Sequence, residues 1–134
     1  MESAKVVLEN FINEMKNYEI EWGNLMQQSV ENALSDESNE KRLEQVIEIQ
    51  NRYLSDKALS LKQDRRITLT FGIPPEYDQR IVNEKNIGKN KIEFDVYRDE
   101  EIYRIYTLVF EKNSWKIDKM AIGSMNWKVT RQIF

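Results

Sequence analysis

Between residues 63 and 67 the spacing of apolar residues changes from one every three or four positions to one every second position. The first spacing lines one face of an α-helix and the second lines one face of a β-strand. A chain that makes this switch once is expected to fold as α+β, with two N-terminal helices packed in a curved antiparallel sheet. Its 134 residues suit a single domain spanning 1–134, because a chain of this size buries roughly two-thirds of its unfolded surface around one core.

Residues 4–34 set Leu8, Phe11, Ile12, Met15, Tyr18, Trp22, Leu25, Met26, Val30 and Ala33 on one helical stripe. The polar run Ser35-Asp36-Glu37-Ser38-Asn39 offers N-cap side chains, and a second helix is expected from about residue 39. Leu43, Val46, Ile47, Tyr53, Leu54, Ala58 and Leu61 form its stripe until Asp64-Arg65-Arg66 ends the pattern. The short connection makes the two helices neighbours.

Ile67, Leu69 and Phe71 alternate with Thr68 and Thr70 as a first strand, closed by Gly72 and both prolines of the chain, Pro74 and Pro75. Alternation is weaker over 77–86, and Ile87 to Asn90 reads as a turn before Ile92, Phe94 and Val96. The run 102–110 is apolar or aromatic on both faces, which makes it a central strand or one covered on both sides. A further strand follows over 115–122. The stretch Trp127 to Phe134 fits either a last strand or a helical turn, and is apolar enough to dock on the sheet. To cover the broad stripe of the first helix, the strands must curl around it.

There is no histidine and no cysteine, which removes the commonest general base, thiol nucleophiles and most transition-metal ligand sets. No cofactor is expected. The four glycines are isolated, so no loop cradles a phosphate. Asp95, Asp99, Glu100 and Glu101 lack the spacing of a calcium loop and read as a charged turn. A net charge of −3 disfavours nucleic acid and anionic membranes as partners, since both require a basic field. Met1-Glu2-Ser3-Ala4-Lys5 is unlike a secretory leader, and a cytoplasmic protein is expected. The charge is uneven: residues 1–40 carry nine acids against Lys5 and Lys16, a balance of −7, and the rest sum to +4. The acidic face is either a solvated helix surface or an attractor for a basic partner.

Glu19 is the residue that patterning leaves unexplained, because it falls within the stripe made by Met15, Tyr18, Trp22 and Met26. A buried carboxylate must take up a proton or acquire a partner. It is therefore either a satisfied internal group or a polar group in a pocket that orients a ligand or a partner side chain. In the sheet half, Tyr97, Tyr103, Tyr106, Trp115 and Trp127 crowd together with Lys116, Lys119, Lys128 and Arg131. Aromatic strand residues are most often core, and Glu111 and Asp118 cancel much of the positive field.

Two helices followed by a curled sheet resemble the nuclear transport factor 2-like superfamily, a cone-shaped fold. The stretch Val109-Phe110-Glu111-Lys112-Asn113-Ser114-Trp115-Lys116-Ile117-Asp118 is similar to its penultimate hairpin. Within the superfamily, the first-helix segment from Leu8 to Tyr18-Glu19, with an aromatic residue before the glutamate, and the later Trp127-Lys128 resemble bacterial immunity proteins encoded beside polymorphic toxins. The resemblance implies a non-catalytic inhibitor that binds a cognate toxin domain. It also points to Tyr18, Glu19, Trp22, Tyr106, Trp115, Trp127 and Lys128 as residues of a pocket or partner contact. The same cone implies two rivals: an isomerase- or cyclase-like enzyme with Glu19 as its base, and a small-molecule carrier. The two-sided strand 102–110 also permits two copies to pair through the outer sheet face.

Overall fold

The N-terminal stripe folds as helix α1 (Ala4–Gln28) in a computed structural model that describes residues 2–28, 35–60, 77–97, 102–124 and 131–132. Leu8, Phe11, Ile12, Met15, Tyr18 and Trp22 are buried along one face. Leu25, counted in the stripe, is instead exposed. At 100° per residue Met26 follows Trp22 more closely than Leu25 does, and Met26 is the half-buried one. Residues 29–34, the expected end of the first helix, lie outside the described residues.

Helix α2 (Asp36–Tyr53) begins at the polar break, where the Ser35 side chain accepts a hydrogen bond from the Ser38 N–H. Asp36 and Glu37 occupy its first turn, at the positive end of the helix dipole. Its buried line is Arg42, Val46 and Ile49, with Tyr53 partly buried, an i, i+4, i+7, i+11 spacing. That line is rotated from the expected Leu43–Val46–Ile47 stripe, and both Leu43 and Ile47 are only half-buried.

The second helix does not continue unbroken to residue 61. Leu54 turns extended (φ −86°, ψ 149°) and bridges Ile117 in parallel, while the Ser55 N–H donates to the Ile117 carbonyl at 2.8 Å. A short helix α3 (Asp56–Ser60) then restarts the chain, with the Ser55 hydroxyl accepting from the Ala58 N–H at 3.1 Å. The helical sequence is interrupted because one backbone step is spent on the sheet. The expected strand 67–71 and the turn at Pro74-Pro75 lie outside the described residues.

Strands β1 (Arg80–Gly88), β2 (Lys91–Tyr97), β3 (Ile102–Glu111), β4 (Ser114–Ser124) and β5 (Arg131–Gln132) form one antiparallel sheet in sequence order. The β1 strand runs through Ile87 and Gly88, so the turn shrinks to Lys89-Asn90, with Asn90 at φ 62°. Lys112 and Asn113, both at positive φ, make the two-residue turn from β3 to β4, a geometry that matches the twist of the paired strands. Of the ambiguous C-terminal stretch, Arg131 and Gln132 pair as strand with Ile122 and Ala121. Trp127, Lys128 and Phe134 lie outside the described residues.

Phe94 and Val96 of β2, Arg104, Tyr106 and Leu108 of β3, and Ile117 and Met120 of β4 are buried. Together they make the inner face of the sheet, which closes over α1. Phe11 sits at the meeting point, in edge-to-face contact with Tyr53, Tyr77 and Tyr106 at centroid distances of 5.7, 6.0 and 6.3 Å. The β3–β4 register slips between Thr107 and Leu108, which leaves Asp118 as the unpaired residue of a bulge. The bulge turns Asp118 inward, where it accepts a hydrogen bond from the Ser55 hydroxyl at 2.7 Å. The residue that breaks α2 from α3 is thus tied to the residue that breaks the ladder of β4.

Candidate functional site

The polar residues on the inward face of α1 are all engaged by other parts of the chain. The Glu19 carboxylate, only 3% exposed, accepts a hydrogen bond from the Tyr77 backbone N–H at 2.7 Å. One residue earlier, the fully buried Tyr18 hydroxyl accepts from the Arg42 guanidinium at 2.8 Å, and Arg42 Nε donates to Asn39 at 2.9 Å. One turn on, the Trp22 indole N–H donates to Gln45 at 2.8 Å. Helix α1 is therefore locked to α2 by Tyr18 and Trp22, and to the segment before β1 by Glu19.

Tyr106 belongs to the same assembly through Tyr77. Its ring packs on Phe11 beside Tyr77, its hydroxyl donates to Gln79 at 3.1 Å, and the Arg104 guanidinium lies 4.8 Å from the Tyr77 ring centre. Trp115 is elsewhere, half-buried at the far end of β4 and edge-on to Phe110 at 5.4 Å. Four of the seven residues singled out in the sequence thus bond inside the fold, to Arg42, Gln45, Tyr77 and Gln79. Sequence reading passed over those four. Arg42 lies four residues before Val46 on the buried face of α2, and this spacing was its only signal.

Burial pushes the Tyr18 phenol up, with the Arg42 guanidinium partly opposing the shift, and burial pushes the Tyr106 phenol up further. A phenol raised in the folded state favours folding in its neutral form. That contribution is complete below the unfolded value of about 10 and fades as pH climbs toward the folded value. Unfolding free energy is therefore expected to fall steeply above pH 10, and the Tyr106→Phe variant should show a shallower alkaline slope in urea titrations.

The surface carries two distinct chemistries. On the helices, Glu9, Glu21, Glu40 and Glu44 are exposed, while Arg52 bridges Glu14 and Glu48, and Lys41 pairs with Glu37. On the outer sheet face, an open groove of about 390 Å³ is lined by Ile105, Thr107 and Ala121 together with Ile87, Lys91, Glu93 and Lys119. No group of acids among the described residues has the arrangement of a metal site.

Comparison with known proteins bears on this architecture directly. Residues 3–129 match the family described as NTF2 fold immunity protein. The immunity protein RhsIA of Dickeya dadantii (strain 3937) is 30% identical over 123 residues, covering 89% of this chain and 86% of that protein. No solved structure matches the chain. With the family match running almost end to end and the helices-then-sheet order in place, the chain belongs to the NTF2-fold immunity proteins.

Proposed function

We propose that this chain protects its producer by binding a cognate toxin domain in the cytoplasm and blocking it, with no chemistry of its own. The observation that carries the reading is the family match over residues 3–129. The internal geometry supports the non-catalytic part. An isomerase- or cyclase-like enzyme with Glu19 as its base needs that carboxylate open to substrate, whereas Glu19 is buried and bonded to the Tyr77 backbone. Tyr18, Glu19, Trp22 and Tyr106 then act on the toxin indirectly, by holding the helices and the sheet in the shape that the toxin meets. Trp115, half-buried against the core beside Phe110, shares that indirect role, and Trp127 and Lys128 belong to the proposal as partner contacts. No described helix is long and apolar enough to cross a membrane.

The test is co-expression. The toxin domain encoded beside this gene should arrest growth when expressed alone, growth should return when this chain is supplied, and the two should co-purify. Arrest that persists despite soluble chain in excess, or rescue without a complex, would reject the proposal.

A further inference from the structure

Among the described strands β1 lies at one edge of the sheet, and it is unusual there. Its register with β2 slips twice, between Ile81 and Asn83 and again between Asn86 and Gly88, so neither Val82 nor Ile87 has a partner in β2. Both are β-branched aliphatics, 49% and 41% exposed. Bulges bend a strand and re-aim a side chain, and exposed apolar groups on an edge strand invite unwanted pairing. Two bulges in nine residues that each turn an aliphatic side chain to solvent do nothing for the core.

Ile87 lines the outer-face groove together with Ile105, Thr107 and Ala121. Lys91 and Lys119 line it too. The acid of the groove, Glu93, sits directly across from Lys85 in the β1–β2 register. Among the described residues neither Lys91 nor Lys119 is ion-paired. Exposed Ile87 beside Ile105 and Ala121, with the unpaired cations Lys91 and Lys119 in the same lining, offers the mix of apolar and polar contact found in protein interfaces.

We propose that this groove is the toxin-docking surface, and that it takes a toxin segment presenting an apolar side chain flanked by carboxylates. The inference rests on the immunity reading above and adds the surface and the chemistry of the contact. The groove between α1 and α2 is the weaker claimant, because both of its acids, Glu14 and Glu48, are already held by Arg52. A second copy of the chain fits less well, since a two-fold pairing would bring the lysines of one groove against those of the other.

The full chain and the toxin domain encoded beside its gene provide the test. Ile87→Asp, and separately the double charge reversal Lys91→Glu/Lys119→Glu, should each weaken toxin binding at least roughly tenfold by calorimetry. Each should also abolish growth protection at equal expression while leaving the melting temperature near that of the wild type. The helical reversal Glu40→Lys/Glu44→Lys should bind within about twofold of the wild type. The docking proposal is overturned if both groove variants bind like the wild type, if the helical variant is the one that loses binding, or if Ile87→Asp only converts a dimer to a monomer. If the wild-type chain itself does not bind the toxin, the immunity reading falls, and the docking proposal falls with it.

Discussion

Truncating Phe11 to alanine is expected to lower the unfolding free energy by about 3–5 kcal/mol, the range for removing a buried aromatic ring. Phe11 is 2% exposed, and it is the side chain through which α1 touches α2, the Tyr77 segment and β3 at once. Three edge-to-face contacts are lost together with the buried area, and a cavity opens where no one element can move in to fill it. Domains of this size have only about 5–15 kcal/mol in total, so the variant should be largely unfolded at modest urea concentrations. The check is a urea titration in which the midpoint falls while the slope with denaturant is unchanged, as expected for a loss of native-state stability. A cost below about 1.5 kcal/mol would mean that the helices and sheet do not meet at this ring.

The second large effect concerns Glu19. Replacing it with alanine removes the acceptor for the Tyr77 N–H and should cost about 2–3 kcal/mol, because a hydrogen bond to a charged group is lost and a buried donor is left unsatisfied. Glu19→Gln keeps the length and an acceptor oxygen, so roughly 1 kcal/mol is expected. Measured well below the melting point, toxin affinity should change by no more than a few-fold in Glu19→Gln, since the side chain fixes the Tyr77 segment from inside. Affinity lost in that variant at unchanged stability would instead place Glu19 in contact with the partner.

These residues also mark how far the sequence could be read. The period change near residue 65 announced helices before sheet, and alternation set Phe94 and Val96 of β2 on one buried face, whereas 102–110, apolar on both faces, gave no sign of which face Tyr106 and Leu108 would take. Glu19 stood out because a charge on an apolar stripe is costly. Its partner did not, because a backbone N–H 58 residues away leaves no mark in composition. The break at Leu54-Ser55 was hidden for a similar reason. Helical spacing continues across it, and only the pairing with Ile117 reveals why the backbone turns. The bulges at Val82, Ile87 and Asp118 were equally silent, since a bulge is a relation between two strands and a sequence shows one at a time.

The central claim is neutralisation by binding alone, and stoichiometry tests it most directly. Toxin activity should be titrated with the purified chain at a toxin concentration far above the dissociation constant. Activity should decline in a straight line, reach zero at one chain per toxin domain and fall no further with longer incubation. Complete inactivation by a small fraction of an equivalent, progressing with time, would show turnover and contradict it.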